Sequence, residues 1–488
     1  MLYPRPSSGW VGDVIPFTPD GRLAQLYFLM DRRDPTRRGM PWHLYETEDF
    51  ATFHDRGEAL PHGGEDDLDL NAYTGSVVAD DTHHHLFYTG FNPAAPGIDG
   101  PARQLVMHAS RRADEGSWQK HPGHTFGAPE GYEPRDFRDP FVFRPDPGGP
   151  WHLLVIARRD HGADRRRGVV LDYVSSDLAE WRFAGEFWAP NRYIAIECPE
   201  VFRMGGHWYF VYSEFSDRFT TRYRVSDSPF GPWRTPEDDT VDGRALYAAK
   251  SVELGGRRYF AGWIPTREGG RDDGEWQWAG NLAVHEATQL PDGSLAFSAP
   301  VALREGFTRP APMTFQPVVG DWDLGDGELT GGSPDGLAVA VASEAPDRFL
   351  LDVTVDIAPG TAECGVVLRS SDDGERGYLI RLEPKRNRLV FDRWPRRLTG
   401  TEQWQVSGDV PFAVELERAV DLSPGRHRLR IFVDGTACVT YVDDRVAMSA
   451  RMYDLRTGGI ALFVGEGEAA FTHLTLATRG QDSQGGES

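Results

Sequence analysis

The chain has 488 residues, with 74 acidic and 52 basic side chains and a formal net charge of −22. This charge disfavours binding to a nucleic-acid backbone or to an anionic membrane, since both require basic surfaces. Only 3 cysteines are present, which excludes a disulfide framework and is typical of a reducing compartment. No apolar run approaches the ~20 residues of a membrane-spanning helix, and the first residues lack the apolar core of a secretion signal. We therefore predict a cytoplasmic protein without membrane or nucleic-acid partners.

Residues 20–300 consist of short apolar runs separated by Gly, Asp, Asn and Pro. Typical runs are 26–31, 85–91, 104–110, 151–158 and 207–213, and they are rich in Val, Leu, Tyr and Phe. No stretch there shows convincing helical periodicity. The pattern predicts many short antiparallel strands.

A weak repeat is superimposed on these strands. A run ends in Ser or Thr, a turn containing Asp follows, and an aromatic residue comes next, as in residues 47–53, 110–118, 175–181 and 226–233. A fifth unit over residues 261–297 completes the series. Repeats of several strands favour propeller blades over a generic β-sandwich, so we predict a five-bladed β-propeller over residues 1–300.

The character of the sequence changes after residue 300. A Pro-rich stretch predicts a linker over residues 301–312. Alternating apolar and polar runs, such as 349–357, 363–369 and 427–433, predict an appended C-terminal β-sandwich over residues 313–478. The tail, residues 479–488, is rich in Gly, Ser and Gln and is predicted to be disordered. The predicted fold class is all-β.

Three acidic residues stand in apolar or aromatic surroundings: Asp13, Asp139 and Glu197. Burying a carboxylate costs several kcal/mol unless it is paired or functional. Each lies near the start of a different predicted blade, and equivalent positions of successive blades converge on the propeller axis. The structural alternative is an ordinary turn Asp before Pro, with Arg138 and Asp139 as a local pair.

Cleavage of a glycosidic bond requires two carboxyl groups, one protonated and one ionised. The apolar flank of Glu197 suits a general acid. Asp13, close to Trp10, suits a nucleophile with a sugar-stacking neighbour. Arg138 is expected to keep Asp139 ionised, so that Asp139 can hold sugar hydroxyls.

These motifs resemble glycoside hydrolase family 32, the fructofuranosidases. Arg138-Asp139-Pro140 and Glu197-Cys198-Pro199 match the family's Arg-Asp-Pro and Glu-Cys motifs, and Trp10-Val11-Gly12-Asp13 matches its opening motif in part. Further matches, in the family's order, are the pocket aromatic Trp42, the serine loop Tyr73-Thr74-Gly75-Ser76, the fifth-blade signature Tyr247-Ala248-Ala249-Lys250 with Trp263, and the sandwich motif Phe432-Val433-Asp434-Gly435.

The resemblance implies a five-bladed propeller with an appended sandwich and a retaining double displacement without metal or organic cofactor. Asp13 would be the nucleophile, Glu197 the acid/base and Asp139 the transition-state stabiliser. The implied substrate contacts are Trp10, Trp42, Ser76, Arg138, Cys198, Tyr247 and Trp263. Residues 83–85, three consecutive histidines, are predicted to form a polar turn and not a metal site, since no second ligand cluster accompanies them.

Two departures from the family affect the expected substrate. Gly12 replaces the Asn that usually precedes the nucleophile, and Leu29 replaces a Gln; both lost groups hydrogen-bond the fructosyl unit in the family. Asp31, Arg32 and Arg33 are candidates to replace them. The expected substrates are short fructooligosaccharides, sucrose-like disaccharides or difructose anhydrides.

Several alternatives stay open from the sequence. One is an arabinofuranosidase of the related five-bladed families, and another is a non-catalytic carbohydrate-binding protein on the same scaffold. Hydrolysis or transfer, exo or endo action, and a monomer or homo-oligomer are equally open.

Overall fold

The computed structural model describes residues 1–94, 103–325, 327–396 and 415–480, with the side chain of residue 343 left aside. Strands dominate these residues. The chain divides into two compact units. One comprises Pro4–Pro265 and Trp278–Leu295, and the other comprises Met1–Tyr3, Thr266–Gln277 and the residues from Ala296 onward.

The first unit contains the blades of a five-bladed β-propeller. Blade I holds β1 (Trp10–Phe17), β2 (Ala24–Asp31), β3 (Trp42–Thr47) and β4 (His54–Leu60). Blade II holds β5 (Asn71–Ala79), β6 (His83–Phe91), β7 (Gln104–Arg112) and β8 (Gln119–Lys120), followed by the 3₁₀ turn Pro122–His124. Blade III holds β9 (Tyr132–Phe143), β10 (Trp151–Arg159), β11 (Gly168–Ser175) and β12 (Arg182–Trp188), with the 3₁₀ turn Asp164–Arg166.

Blade IV holds β13 (Glu197–Met204), β14 (His207–Glu214) and β15 (Thr220–Ser226), and blade V holds β16 (Tyr247–Leu254), β17 (Arg257–Arg267), β18 (Trp276–Gln289) and β19 (Leu295–Ser298). The 3₁₀ turn Glu268–Gly270 follows β17. Strands within each blade pair antiparallel, and β18 also pairs with β1 through Val11 and Gly280. The last blade is therefore joined to the first by backbone hydrogen bonds.

The propeller core lies between neighbouring blades. Each blade is covered on both faces, so its inner strands read as almost continuous apolar runs, as in β2, where every residue from Ala24 to Met30 is buried. Separate apolar clusters fill the spaces between blades V and I, I and II, II and III, and III and IV. Burial of this apolar surface is the main stabilising term.

The first strand of every blade contains an irregularity near the same place. Pairing shifts register between Val11 and Val14 in β1, between Tyr73 and Gly75 in β5, between Glu197 and Glu200 in β13, and between Tyr247 and Lys250 in β16. In β9 the shift falls opposite Leu154–Ile156. A β-bulge bends the strand and re-aims its side chains.

The second unit is the β-sandwich. Its strands are β20 (Arg309–Ala311), β21 (Phe315–Val319), β22 (Asp321–Gly325), β23 (Glu328–Glu344), β24 (Arg348–Ile357), β25 (Glu363–Ser370), β26 (Gly377–Glu383), β27 (Arg388–Trp394), β28 (Leu416–Ala419), β29 (Gly425–Asp434), β30 (Ala437–Val442), β31 (Val446–Arg451) and β32 (Gly459–Thr478). A 3₁₀ turn, Pro384–Arg386, joins β26 to β27.

One expectation for this region differs from the structure. The predicted linker, residues 301–312, holds the helix α1 (Val301–Glu305) and the strand β20, which pairs with β32. Proline is compatible with both, because Pro300 stands just before the helix and Pro310 lies on a short strand with a single partner. Of the tail, residues 481–488 lie outside the described part of the chain.

The three consecutive histidines open strand β6 and do not form the predicted turn. Across the described ranges, no cluster of three or more His, Cys, Asp or Glu side chains is arranged to hold a metal ion. In the same ranges, no helix has the length and apolar character needed to cross a membrane.

Candidate active site

A cavity in the propeller is lined by residues of all five blades. The lining consists of Asp13, Leu29, Met40, Tyr73, Thr74, Gln104, Arg138, Asp139, Glu197 and Trp278. Asp13, Thr74, Asp139 and Glu197 each come from the bulged first strand of a different blade. The repeated bulge thus brings together side chains that are far apart in the sequence.

Asp13 is held by two donors. The hydroxyl of Thr74 donates to its Oδ2 at 2.5 Å, and the indole Nε1 of Trp263 donates to its Oδ1 at 3.0 Å. Burial, followed by the charge of Asp139, raises the pKa of Asp13 to about 6, although the two hydrogen bonds act in the opposite direction. Asp13 is therefore mainly ionised at neutral pH. Each of its two carboxylate oxygens accepts one of these hydrogen bonds, which fixes the orientation of the group.

Asp139 is only 3% exposed, and its backbone adopts the left-handed conformation with φ 57°. The N–H of Cys198 donates to its Oδ2 at 2.9 Å, and the Cys198 thiol lies 3.8 Å from the same oxygen and 4.0 Å from Oδ2 of Asp13. Burial raises the pKa of Asp139. Cys198 thus lies between the two aspartates, and burial also raises the pKa of its thiol well above its ordinary value.

Glu197 accepts hydrogen bonds on both oxygens. Nη2 of Arg138 donates to Oε1 at 2.9 Å, and the hydroxyl of Tyr247 donates to Oε2 at 2.6 Å. Nη1 of Arg138 donates to Asp136 at 2.6 Å. Arg138 therefore forms its ion pairs with Asp136 and Glu197. Its charge also lowers the pKa of Asp139 and so opposes the effect of burial, in the direction expected from the sequence.

The surroundings of Glu197 also differ from the expected apolar pocket. Ile196 and Cys198, its neighbours in sequence, are buried, whereas the Glu197 side chain is 23% exposed. The bulge between Glu197 and Glu200 re-aims the side chains at the start of β13, so the apolar flank is buried and Glu197 lies among polar groups.

Of the predicted substrate contacts, Arg138 alone lines the cavity. Cys198, Tyr247 and Trp263 lie behind it and contact the carboxyl groups of Asp13, Asp139 and Glu197, as described above. They hold the acidic groups and do not form the cavity wall.

Three other predicted contacts do not line the cavity. Trp42 is fully buried, and its Nε1 donates to the carbonyls of Ala72 and Tyr73. Ser76 is buried, and its hydroxyl accepts the N–H of Val142 at 3.0 Å. Both side chains therefore form hydrogen bonds that connect neighbouring blades.

Trp10, the third of these, carries the guanidinium groups of Arg5 and Arg33 over its ring at 4.4 and 5.1 Å. Its ring is thus engaged by two cations, and it does not line the cavity. Arg33 is one of the three residues expected to replace the family's Asn and Gln. It donates to the carbonyl of Trp278 at 2.7 Å and so supports the cavity wall.

Sequence reasoning missed several lining residues, among them Met40, Tyr73, Gln104 and Trp278. Tyr73 and Thr74 could have been predicted from the sequence, because both belong to the motif that predicted Ser76. Gln104 and Trp278 carry no local signal. Their positions depend on the way in which strands β7 and β18 approach the first strands of the blades.

Comparisons with known proteins agree with this architecture. Residues 5–298 match the model of the glycosyl hydrolases family 32 N-terminal domain, and residues 330–478 match that of the family 32 C-terminal region. A levanbiose-producing levanase of Bacillus subtilis is 21% identical over 485 residues, covering 94% of this chain and 86% of that protein. A sucrose-6-phosphate hydrolase of Klebsiella pneumoniae is 29% identical over 248 residues, 47% of this chain and 50% of that protein.

Solved structures share the whole fold. The sucrose-6-phosphate hydrolase of Lactobacillus gasseri superposes with a TM-score of 0.73 at 19% identity, covering 98% of this chain and 92% of the other. The exo-inulinase of Aspergillus awamori gives 0.71 at 18% identity, with 98% of both chains covered. Since the family models together match well over half of its residues, the chain belongs to glycoside hydrolase family 32 and is a glycoside hydrolase.

Proposed function

We propose that the protein is a retaining β-fructofuranosidase in which Asp13 is the nucleophile, Glu197 the acid/base and Asp139 the transition-state stabiliser. The proposal rests on one observation: these three carboxyl groups come from three different blades and line the same cavity. A pair of carboxyl groups with different surroundings is what glycoside hydrolysis requires.

In the first step, an Asp13 oxygen forms a bond to the anomeric carbon while the bond from that carbon to the leaving oxygen breaks. Glu197 transfers its proton to the leaving oxygen and becomes a carboxylate. Arg138 and Tyr247, which donate to its two oxygens, stabilise the charge that forms. The hydrogen bonds from Thr74 and Trp263 fix the orientation of Asp13 before the attack.

In the second step, Glu197 takes a proton from water, and the water oxygen displaces Asp13 from the anomeric carbon. A sugar hydroxyl replaces water if the enzyme transfers. Asp139, fixed by the N–H of Cys198, holds ring hydroxyls and stabilises the positive charge of the oxocarbenium-like transition state in both steps.

The expected substrates are short fructosides: fructooligosaccharides, sucrose-like disaccharides or difructose anhydrides. Relatives named for levan and for sucrose 6-phosphate support the fructosyl class. The sparse cysteine content supports a cytoplasmic location, and an enzyme inside the cell meets imported oligosaccharides more often than polymers.

A proton NMR time course tests both sugar and mechanism. The panel contains sucrose, kestose, inulobiose, difructose anhydrides and arabinofuranosyl disaccharides, and the first-formed anomer is read before mutarotation. We expect β-fructofuranose as the first product. An inverted anomer would refute Asp13 as the nucleophile, and release of arabinose alone would refute the fructosyl specificity.

Active-site variants complete this test. Asp13→Asn and Glu197→Gln each remove one reacting carboxyl group while preserving shape, and we expect kcat to fall by about 10³-fold or more. Asp177→Asn changes a carboxyl group in a surface turn and is the matched control. Equal, negligible turnover by the wild type and both site variants, with sugar binding retained, would indicate a binding protein.

A further inference from the structure

Lys250 is a buried lysine on the bulged strand β16. It is only 2% exposed, whereas a lysine is almost never fully buried unless its charge is paired. Its Nζ donates to the carbonyl oxygen of Gly75 in blade II at 2.7 Å, and within the described ranges it forms no direct ion pair. Because a buried charge is costly without compensation, acidic groups at a greater distance must offset it.

Acidic side chains of two other blades are within range of the Lys250 charge. Burial raises the pKa of Asp139, and the charges of Arg138 and Lys250 act in the opposite direction. Burial likewise raises the pKa of Glu200, which is 3% exposed, and Lys250 again opposes this shift. Arg138 already forms ion pairs with two other carboxylates. Lys250 is therefore a cation near Asp139 whose charge no ion pair among the described residues takes up.

The hydrogen bond to Gly75 joins the buried ammonium group to the segment that supports both aspartates. Thr74 directly precedes Gly75, and its hydroxyl donates to Asp13 at 2.5 Å. The Thr74 carbonyl accepts the hydroxyl of Thr89 at 3.0 Å, and that hydroxyl accepts the N–H of Asp139 at 2.8 Å. The ammonium group is thus fixed on a hydrogen-bonded network that reaches Asp13 at one end and Asp139 at the other.

Asp13 and Asp139 are close enough to influence each other. The Cys198 thiol lies 4.0 Å from Oδ2 of Asp13 and 3.8 Å from Oδ2 of Asp139. After burial, the charge of Asp139 is the largest cause of the raised pKa of Asp13. Coupled carboxyl groups lose their protons in two steps that belong to the pair, and a nearby cation lowers the pH at which the second proton leaves. Other ionisable groups that face this pair are Arg138, Glu197, Cys198 and Tyr247.

We propose that Lys250 is a positioning residue of the active site, whose ammonium charge maintains Asp13 and Asp139 as an ionised pair. The inference rests on the proposed fructofuranosidase function, in which Asp13 attacks as a carboxylate and Asp139 stabilises a positive charge. Lys250 does not line the cavity, so it acts through the aspartates and not on the sugar. Its hydrogen bond to the Gly75 carbonyl holds the charge in place.

The test is the pH dependence of kcat/KM in Lys250→Gln and Lys250→Met, from pH 4.5 to 8, on the fructoside of the panel that the wild type cleaves fastest. Glutamine keeps a donor for the Gly75 carbonyl without the charge, and methionine keeps neither. Without the cation, the second proton of the aspartate pair leaves at higher pH. We expect the acid limb to move up by about 1 pH unit in both variants, so that kcat/KM falls about tenfold at pH 5 and largely recovers at pH 8.

Lys120→Met is the matched control, because it changes the net charge equally. Nζ of Lys120 donates to a buried aspartate, Asp69, at 2.6 Å, but neither residue lines the cavity. Its acid limb should coincide with that of the wild type. The melting temperature of each variant checks its fold, and Lys250→Gln alone decides the test if Lys250→Met does not fold.

The remaining outcomes separate the two proposals. A wild-type pH profile in Lys250→Gln would overturn the role of the charge, since the hydrogen bond would then suffice. An equal loss of activity at every pH, with the acid limb unmoved, would assign Lys250 a purely structural role and overturn the proposal as well. Turnover of no fructoside by the wild type would overturn the fructofuranosidase function itself.

Discussion

The Asp13 carboxyl group is buried close to Asp139 and Glu197, and its pKa is raised to about 6. Because the attacking group must be ionised, we predict that kcat/KM falls as the pH decreases through about 6. The Thr74 hydroxyl donates to Asp13 and so favours the ionised form. Thr74→Val should therefore move this acid limb to higher pH, as measured by kcat/KM from pH 4.5 to 8.

Thr82→Val is the control for this pH profile. Thr82 also donates to an aspartate, Asp80, but it lies on the surface outside the cavity. Its profile should match that of the wild type. An acid limb that does not move in Thr74→Val would show that Asp13 is not the group whose ionisation limits activity.

Arg138 joins two carboxylates at once, and its side chain is only 12% exposed. Lysine retains the charge but not the planar fork that reaches Asp136 and Glu197 together. We predict that Arg138→Lys lowers kcat by about 100-fold, because an acid/base group out of position loses most of its contribution. Steady-state kinetics measure this change.

Arg56→Lys provides the comparison for Arg138. The Arg56 side chain is 56% exposed and pairs with Glu46 at 2.7 Å, and exposed ion pairs contribute ~0–1 kcal/mol. Activity and melting temperature should both stay near wild type. A similar loss in the two lysine variants would argue against a special role for Arg138.

At the scale of the elements, the bulge in β5 depends on a glycine. A Cβ on Gly75 would lie 1.8 Å from the carbonyl oxygen of Phe87 on the paired strand. We predict that Gly75→Ala destabilises the protein by about 1–3 kcal/mol or more and displaces Thr74 from Asp13. Urea denaturation measures the first effect, and kcat measures the second.

Gly116→Ala is the matched control in the same blade, because nothing lies within 4 Å of the added Cβ. It should change stability by less than about 0.5 kcal/mol. Equal stability of the two variants would mean that the close approach of β5 and β6 at Gly75 relaxes without cost.

Blade II also contains a stack of imidazole rings. His108 shares hydrogen bonds with His85 at 3.0 Å and with His124 at 2.9 Å, and its ring lies 5.0 Å from that of His121. Burial, reinforced by the neighbouring rings, lowers the pKa of His108 to about 2. Burial likewise lowers the pKa of His85 and of His121.

The sign of the linked stability follows from these shifts. The unfolded chain binds protons on these rings below about pH 6.5, whereas the folded protein does not. The free energy of unfolding should therefore decrease as the pH falls from about 6.5. The His108 ring stacks on Phe87 at 4.5 Å, so His108→Phe removes one such group while keeping a flat ring there. Its melting temperature should fall less than that of the wild type between pH 7.5 and pH 5.

His161→Gln serves as the control for the imidazole stack, since the His161 side chain is 77% exposed. Its melting temperature should change with pH as the wild type's does. A steeper pH dependence in His108→Phe would contradict the neutral state of the stack.

At the scale of the whole molecule, charge bears on the choice between neutral and phosphorylated sugars. The net charge is −22, three carboxyl groups line the cavity, and Arg138, the cation among the described lining residues, is already paired. We predict that kcat/KM for sucrose 6-phosphate is about tenfold below that for sucrose at low salt and rises with ionic strength, because salt screens the repulsion. Preference for the phosphorylated sugar at low salt would contradict this prediction.

Much of the fold followed from local patterns. The weak repeat corresponds to a real turn: Thr47 accepts the N–H of Phe50 in blade I, and Ser175 accepts that of Leu178 in blade III. An aspartate two residues further on, Asp49 in the first case, accepts the next amides. Such turns require particular side chains at fixed offsets, so they are visible in the sequence, and the predicted propeller and sandwich are confirmed.

The sequence by itself determined the strand periodicity, the turns and the short motifs that contain Asp13, Asp139 and Glu197, because each depends on residues close together in the chain. The tertiary structure decided which way the side chains point. A bulge reverses the alternation of a strand locally, which places Glu197 beside Arg138 while its apolar neighbours are buried. Pairing of the last blade with the first places Trp278 against Gly12, 266 residues away in the sequence, and no local pattern contains that contact.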